Sequence, residues 1–393
     1  MSVVRLLGIA LVVAACSSGP ILANAPVQRA SPAATAAVIA TAADPQPIVF
    51  PRDDGPHRRL TEWWYYTGHL VSDAGRRFGF EFVVFRAERG SFPVSWASHL
   101  ALTDEQGRRF LYGQRSEIGP QVDVSPRGPS GELEGFALTV TGYDPSRAAP
   151  PAGTPWTMRG TGGRDSLAAA LTAAEAGPAG EGAAFGLTLD LATDRPAVLH
   201  NSIGYIDFGP AGGSYYYSRT RMSASGTLQL GSEALHVTGD AWFDHQWGDF
   251  IAVGGGGWDW FAVNLADGTD LTVSLVRDAA GAYPLAYGTL VHPDGTTEHL
   301  DRDAFSVEVL GTWSSPRSGA TYPAGWRIRV PAAALELTLR PTVADQELDT
   351  RLTTGVIYWE GSQRVTATLG GAEVSGEAYV ELTGYPASVA AVP

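Results

Sequence analysis

The sequence predicts an all-β protein made of two tandem antiparallel β-barrels that pack together. Two observations predict this class: short alternating segments follow one another from Pro51 onward, and those segments repeat within the chain. Segments such as RFGFEFVVFRA, WFAVNLA and LELTLRP are rich in β-branched and aromatic residues at a period of two, with Asp-Gly turn signals at 267–268 and 294–295. Many short strands at regular spacing are typical of a barrel or a sandwich. Only DSLAAALTAAEAG (165–177) has helical propensity, and glycines bracket it.

The internal repeat consists of three blocks that recur in the same order. EWWYYTGHLVSDAGRRFGFEFVVF aligns with GWDWFAVNLADGTDLTVSLV, and ASHLALTDEQG aligns with AYGTLVHPDG. In the third block VTGDAWFDH aligns with VSGEAYVEL, so that Asp244 matches Glu381. Blocks repeated in one order indicate two copies of a structural unit. We therefore expect an N-terminal domain over residues 49–250 and a C-terminal domain over residues 251–393.

The N-terminal segment has the pattern of a lipoprotein signal. MSVVRLLGIALVVAAC combines one positive charge, a short apolar run and small residues before Cys16, which predicts a signal peptide over residues 1–16. VAAC resembles the bacterial lipobox, in which the cysteine is lipidated. Residues 17–48 are rich in Ala, Pro and Ser and predict a flexible tether. We expect an exported protein that contacts the membrane of a bacterial cell envelope only through its lipid anchor and faces the periplasm or the exterior. An ordinary cleaved signal with an incidental cysteine is the alternative.

Composition and charge argue against several classes of function. The chain has 27 Lys and Arg against 41 Asp and Glu, a formal net charge of −14, whereas nucleic-acid binding needs a basic surface. Cys16 is the only cysteine, so no intramolecular disulfide can form. The sequence contains no G-x-S-x-G elbow, no phosphate-loop motif and no His-x-His or His-x₃-His spacing. We therefore expect no cofactor, no metal site and no nucleic-acid partner.

Five segments together resemble a known family. EWWYYTGHL, ASHLALTD, SYYYSRTRM, GDAWFDHQWGDF and GEAYVELTGY are similar to segments of the lipocalin-like carotenoid 1,2-hydratase family. Bacterial secreted proteins labelled as hydrolases belong to that family, and fungal lipocalin-like Diels–Alderases are related to it. The resemblance covers about residues 49–390. It implies two lipocalin-like barrels, a ligand cavity in or beside the first barrel at the domain interface, and cofactor-free hydration or cyclisation of an apolar polyene or terpenoid-like substrate.

Asp244 is the candidate catalytic acid. Adding water to an isolated alkene requires an acid that protonates carbon, and a carboxyl group kept neutral by an apolar pocket can supply that proton. The resemblance places an Asp two residues after an aromatic residue, which matches Asp244 and Trp242. On a strand these two side chains share a face, and the indole ring would stabilise a cation. A structural Asp that ties a barrel end through backbone or Arg contacts is the alternative.

His245 and the tyrosine run SYYYSRTRM supply the other catalytic candidates. His245 points to the opposite face from Asp244 if the strand is regular, and it is either a base for water or a structural histidine. Tyr215 and Tyr217 share one face and are candidates to line the cavity, stabilise a cation or donate a proton. An aromatic core strand is the alternative interpretation. The family resemblance implies a histidine in this region where the sequence has only tyrosines, a departure that bears on carotenoid hydration itself.

The expected partner is an elongated apolar small molecule. Its candidate contacts are aromatic and histidine side chains of the first copy: Trp63, Tyr65, His69, His99, His200, Trp242 and Trp247. Two other functions stay open: a non-catalytic carrier of hydrophobic ligands, and a metal-dependent hydrolase. The hydrolase would need His69, His99, His200 and His245 to meet with Asp244 around one ion. The sequence does not determine the oligomeric state.

Overall fold

The structure is a computed structural model that describes residues 43–142, 153–172, 175, 184–250 and 255–385. The predicted signal peptide with Cys16, the tether up to residue 42 and the glycine-rich connection at 251–254 lie outside the described residues. None of the helical turns in the described part has the length and apolar character that crossing a membrane requires. Five such turns occur there, all of the 3₁₀ type: Arg52–Asp54, Pro120–Val122, Gly209–Ala211, Arg302–Ala304 and Pro331–Ala333.

Twelve strands form the first antiparallel sheet: β1 (Thr61–Ser72), β2 (Arg77–Ala87), β3 (Ser95–Asp104), β4 (Arg109–Ile118), β5 (Phe136–Val140), β6 (Trp156–Thr161), β7 (Arg164–Leu171), β8 (Phe185–Ala192), β9 (Val198–Leu199), β10 (Tyr205–Asp207), β11 (Gly213–Leu230) and β12 (Glu233–Gly248). Ten of them follow the order β4-β3-β2-β1-β12-β11-β8-β7-β6-β5, and β9 and β10 pair with β11. The sheet curls into the first barrel.

Ten strands form the second sheet: β13 (Gly255–Leu265), β14 (Asp270–Asp278), β15 (Leu285–Val291), β16 (Thr297–Asp301), β17 (Ser306–Val309), β20 (Trp326–Val330), β21 (Leu335–Pro341), β22 (Glu347–Asp349), β23 (Ile357–Leu369) and β24 (Ala372–Thr383). Their order is β16-β15-β14-β13-β24-β23-β21-β20-β17, with β22 on β23. A separate hairpin joins β18 (Thr312–Ser314) and β19 (Thr321–Pro323).

The two sheets repeat one strand order. β4-β3-β2-β1-β12-β11 in the first sheet corresponds to β16-β15-β14-β13-β24-β23 in the second, which is the correspondence that the internal repeat predicts. The all-β prediction is confirmed, with two curled antiparallel sheets of lipocalin-like form. The first sheet ends at Gly248 and the second begins at Gly255; the domain limits at residue 250 stay a prediction.

One segment with helical propensity contains a strand. Residues 165–171, the first part of the segment 165–177, belong to β7 (Arg164–Leu171). Asp165, Leu167, Ala169 and Leu171 are buried and alternate with less buried neighbours, as expected for a strand with one face on the core. Pairing with β6 and β8 on either side overrides the propensity of the alanines.

Apolar side chains fill the interior of each barrel, and a third cluster lies between the barrels. This cluster, which we call the barrel interface, joins Tyr65 and Trp242 of the first barrel to Trp260 and Tyr379 of the second. The Trp260 ring contacts two rings of the first barrel edge-on. The distances between ring centroids are 5.4 Å to Tyr65 and 6.1 Å to Trp242. Aromatic rings from both barrels are therefore in contact where the barrels pack together.

Candidate functional site at the barrel interface

The end of β12 points its alternate side chains to two different places. Phe243 and Trp247 belong to the core of the first barrel, and His245 lies among their rings. Trp242 belongs to the barrel interface, and Asp244 accepts a hydrogen bond from its indole nitrogen. The period of two in a regular strand explains this separation. One sequence segment therefore serves two sites that lie on opposite faces of the same strand.

Asp244 is buried and receives hydrogen bonds from three uncharged donors. The Tyr216 hydroxyl donates to Oδ2 at 2.5 Å, while the Trp242 indole at 2.6 Å and the Ser218 hydroxyl donate to Oδ1. Within the described part of the chain, Asp244 has no ion pair with any cationic side chain. Burial raises the pKa of Asp244 to about 7, against the opposing effect of its three donors. A sizeable fraction of this carboxyl group is therefore protonated at neutral pH.

The hydrogen bonds around Asp244 continue to His200. His200 Nε2 lies 2.7 Å from the Ser218 hydroxyl, and Nδ1 lies 2.9 Å from the Thr289 hydroxyl. Because the Ser218 hydrogen points to Asp244, this network assigns the ring hydrogen to Nε2 and makes Nδ1 the acceptor. Burial lowers the pKa of His200 to about 3, so the ring is neutral. Ser218 is oriented as a donor to Asp244, which is not the arrangement of a serine nucleophile.

Three glutamates lie on the same interface. Tyr65 of the first barrel donates to Glu360 of the second at 2.6 Å, and Tyr358 of the second donates to Glu81 of the first at 2.9 Å. Burial raises the pKa of Glu81 to about 8 and that of Glu381 to about 7, and it raises that of Glu360 well above the usual value. Burial thus favours the neutral form of each of these carboxyl groups.

Two of the predicted site tyrosines lie away from Asp244. Tyr217 pairs with His245 across the β11–β12 register and donates to Asp54 at 2.6 Å inside the first barrel. Tyr215 donates to Asp44 at 2.7 Å. Tyr216 is the tyrosine that contacts Asp244, because it shares a strand face with Ser218. The tyrosine beside Asp244 is therefore Tyr216, and not Tyr215 or Tyr217 as expected from the sequence. His245 lies on the opposite strand face from Asp244, as alternation predicts, and its catalytic role stays a prediction.

The other predicted ligand contacts are divided between several places. Tyr65 and Trp242 lie in the barrel interface, with Trp63 packed against it. Trp247 stacks on Tyr215 at 5.3 Å inside the first barrel. The roles assigned to these side chains stay predictions.

The histidines of the hypothetical metal-dependent hydrolase do not meet. His99 contacts Tyr358 and Thr353, His200 contacts Ser218 and Thr289, and His69 lies 3.9 Å from Glu377 while His245 contacts Glu62. Within the described residues, only His57, Glu62 and His245 form a group of potential metal ligands. The donor set that this alternative requires is therefore not assembled, since the four histidines have partners on different strands or loops.

A second polar group lies at the end of the first barrel. His57 Nδ1 lies 2.8 Å from Glu62 Oε1, and His245 Nε2 lies 3.0 Å from the same oxygen. Burial lowers the pKa of both imidazoles, but Glu62 and Asp53 outweigh it for His57, whose pKa is raised, while that of His245 stays lowered. Burial raises the pKa of Glu62, and the two histidines reverse this to a net lowering. His57 stands in a loop without a motif, so no sequence signal pointed to it.

Two surface clefts of the described residues are polar. One is lined by Arg108, Arg109, Arg317 and Asp345 among others, and the second by Glu105 and Arg364 with their neighbours. Neither cleft reaches Asp244 or His245, and neither matches the elongated apolar cavity that the family resemblance implies.

The two curled antiparallel sheets define a lipocalin-like fold of two barrels. The chain belongs to the AttH-like family, whose family model matches residues 41–385. A crystal structure from Nitrosomonas europaea assigned to AttH is 29% identical, with a TM-score of 0.70 over 89% of this chain and 100% of that one. The predicted resemblance is thus confirmed at the level of family and fold.

More distant structures share the fold alone. Kievitone hydratase from Nectria haematococca is 14% identical, with a TM-score of 0.62 over 86% of this chain and 93% of that one. CghA in complex with Sch210972 is 12% identical, with a TM-score of 0.54 over 84% and 90% of the two chains. No curated protein matches the chain.

Proposed function

We propose that the protein is a cofactor-free enzyme that protonates an alkene of an apolar substrate, with Asp244 as the acid. The observation that carries this proposal is a buried carboxyl group with a pKa of about 7 whose three hydrogen-bond donors are all uncharged and which lies beside the aromatic cluster of the barrel interface. A general acid works best when its pKa lies near the operating pH. The reaction is a hydration if water adds to the cation. It is an isomerisation if the cation loses a proton instead, and a cyclisation if it closes a ring.

The proposed reaction needs no cofactor, because the proton that Asp244 gives up is returned to it. Protonated Asp244 transfers its proton to one alkene carbon, which leaves a carbocation and a carboxylate. Water adds to the cation, and the proton that this water releases returns to the Asp244 carboxylate. Trp242, Trp260 and Tyr65 belong to the aromatic cluster beside Asp244, and an electron-rich ring face turned towards the cation would stabilise it.

The three donors to Asp244 have a defined part in this step. When the proton leaves, negative charge develops on the carboxyl oxygens, and hydrogen bonds to a charged acceptor are stronger than those to a neutral one. Tyr216, Ser218 and Trp242 already point at those oxygens, so they stabilise the carboxylate without rearrangement. The three donors therefore stabilise the negative charge that develops on Asp244 in the transition state.

The proposed substrate is an elongated carotenoid, terpenoid or lipid-like molecule. Lipocalin-like barrels suit small hydrophobic ligands, and the barrel interface supplies aromatic contacts beside Asp244. Because Asp244 is only 3% exposed, the substrate has to reach it by separating side chains between the two barrels. Trp63, at the partly buried margin of the interface, stands where such an approach would begin.

The proposed place of action is the bacterial cell envelope. The lipobox-like VAAC and the Ala/Pro-rich tether support export and lipidation of Cys16. Lipidation would hold the enzyme near membrane-dissolved substrates. A Cys16→Ser variant should then leave the membrane fraction of the producing cell, whereas unchanged fractionation would contradict the anchor.

The activity test uses acyclic isoprenoid alkenes with and without conjugation: squalene, geranylgeraniol and lycopene. The purified protein is incubated with each in deuterated water, and mass spectrometry detects added water or incorporated deuterium. Asp244→Asn should lower turnover about 10²–10⁴-fold, while quenching of tryptophan fluorescence by the substrate stays unchanged.

The matched control is Asp240→Asn on the same strand, because the Asp240 side chain is 50% exposed and lies 3.7 Å from Arg221. It should keep wild-type turnover. Binding of all three alkenes without turnover by the wild-type protein would contradict the enzyme and favour the carrier. Full turnover by Asp244→Asn would contradict the role of Asp244.

A further inference from the structure

Three ligand-type side chains from separate segments meet at the end of the first barrel, on the strand face opposite to Asp244. His57 comes from the loop before β1, Glu62 from the start of β1 and His245 from the end of β12. One donor atom from each lies within 4.8 Å of the others. The nearest distances are 2.8 Å from His57 Nδ1 and 3.0 Å from His245 Nε2, both to Glu62 Oε1.

Two imidazoles and one carboxylate form a donor set that borderline divalent metal ions prefer. Around a tetrahedral Zn²⁺ with bonds of about 2.0–2.1 Å, neighbouring donor atoms lie roughly 3.3 Å apart. The two observed distances are shorter than this by a few tenths of an ångström. Outward shifts of Glu62 and His57 by a few tenths of an ångström would bring both distances to this value, while the His57 backbone N–H, which donates to both Glu62 oxygens, keeps the carboxylate beside the loop.

The surrounding residues hold these donors in place. His57 Nε2 lies 3.4 Å from Asp53 Oδ1, which is the carboxylate–histidine arrangement that orients metal-binding imidazoles. Trp247 stacks parallel to the His57 ring at 4.0 Å, and Trp64 stacks on the His245 ring at 4.7 Å. Flat contacts on the ring faces leave the ring edges, and hence the nitrogen atoms, directed towards Glu62.

Charge and access also permit a cation. The Arg86 guanidinium lies 3.7 Å from Glu62 Oε2, whereas both imidazoles contact Oε1. Arg86 also donates to Glu88 and to the carbonyl oxygen of His57. Glu62 and His245 are buried, while the His57 side chain is 19% exposed and gives a route from solvent.

We propose that His57, Glu62 and His245 bind one divalent transition-metal ion, with Zn²⁺ as the best match to this donor set. The ion would take the place of the hydrogens that now join the two imidazoles to Glu62. It would tie the loop before β1 to β1 and β12 and so fasten the N-terminal segment over the end of the barrel. The sequence predicts no metal site because His57 lies in a loop, outside any recognisable spacing with His245.

The test titrates Zn²⁺ into the EDTA-treated, dialysed full-length protein against a chromophoric chelator, with metal content measured by mass spectrometry. We expect one equivalent per chain and a higher Tm with Zn²⁺. His57→Gln and Glu62→Gln should each weaken binding by at least about 100-fold, since even outer-shell changes cost 10–100-fold. Asp244→Asn, on the opposite strand face, should bind Zn²⁺ normally, which separates this proposal from the proposed enzyme activity.

The control is His236→Ala, because the His236 side chain is 58% exposed and lies 3.0 Å from Asp73. It should bind Zn²⁺ as the wild type does. Wild-type affinity in His57→Gln and Glu62→Gln, or no stoichiometric binding by the wild type, would overturn the proposal. If these variants do not fold, the visible spectrum of the Co²⁺-loaded wild type decides: intense tetrahedral bands support the site, and the weak spectrum of hydrated Co²⁺ refutes it.

Discussion

The two barrels share a strand order but differ in the side chains near the end of the matching strands β12 and β24. In β12 the residues after Trp242 and Phe243 are Asp244 and His245, and His245 sits in a polar group with Glu62. In β24 the position that matches His245 is Leu382, which is fully buried in the core of the second barrel. An apolar residue therefore satisfies the architecture at this point. The polar group of the first barrel is an addition to the fold and not a requirement of it.

The carboxyl groups at matching positions also differ in their neighbours. Ser218 lies opposite Asp244 across β11 and β12, whereas Glu360 lies opposite Glu381 across β23 and β24. Burial raises both pKa values to about 7. Asp244, however, has three donors ready to stabilise its anion, and Glu381 faces a second carboxyl group. The pKa of both residues is raised, but only Asp244 has three donors that would stabilise its carboxylate when it releases a proton.

The largest expected effect comes from replacing each carboxyl group by leucine. Asp244→Leu leaves the buried donors of Tyr216, Ser218 and Trp242 without an acceptor, at about 1–3 kcal/mol each, and we expect a loss of about 3–5 kcal/mol. Glu381→Leu removes a buried carboxyl group with fewer dependent donors and should cost about 1 kcal/mol or less. Urea unfolding of both variants measures the difference. Equal losses would show that the donor network contributes nothing beyond the shape of the site.

The second effect is a loss of stability as the pH rises. Glu81 has a folded pKa of about 8, above its usual 4.5, so the folded protein holds a proton that the unfolded chain releases. Stability from this group is complete at low pH and is lost as the pH rises towards and through 8. The shifts of Glu360 and Glu381 act in the same direction. We expect the contribution of this group to the free energy of unfolding to fall from about pH 4.5 and to level off above about pH 8.

Glu81→Gln isolates one group in this pH dependence. Each pH unit in this window corresponds to roughly 1.4 kcal/mol, so the variant should remove about 2 kcal/mol of the loss between about pH 6.5 and pH 8. His99, which contacts the same Tyr358 hydroxyl, has its pKa lowered by burial to about 3 and stays neutral in the folded protein throughout. Chemical unfolding at several pH values measures the slope. An unchanged slope in Glu81→Gln would place the titration elsewhere.

The sequence correctly predicts which side chains of a strand share a face. The period of two separates Asp244 from His245 and places Trp242 beside Asp244, and both features are present in the structure. The repeat likewise predicts the common strand order. These features depend on neighbours within one strand or on similarity between two segments, and both are properties of the printed sequence.

The partners of Asp244 could not be predicted in the same way. Tyr216 and Ser218 reach it only through the register of β11 against β12, which sequence alternation does not fix. Alternation divides the tyrosine run into two faces but does not say which face meets Asp244. Glu81 and Glu360 meet through the packing of one barrel on the other. Such contacts join residues hundreds of positions apart, and no local pattern records them.

The smallest expected effect distinguishes two tyrosines that donate hydrogen bonds to buried carboxyl groups, Tyr216 and Tyr358. Tyr216 donates to Asp244 and accepts from the Trp260 indole at 3.0 Å, while Tyr358 donates to Glu81. Tyr216→Phe and Tyr358→Phe should each cost about 1 kcal/mol in urea unfolding. Only Tyr216→Phe removes a donor that lowers the pKa of Asp244, so only this variant should keep Asp244 protonated to higher pH. In the proposed reaction, the fall in rate at alkaline pH should then move upward for Tyr216→Phe alone. A shift in Tyr358→Phe and none in Tyr216→Phe would mean that the acid is Glu81 and not Asp244.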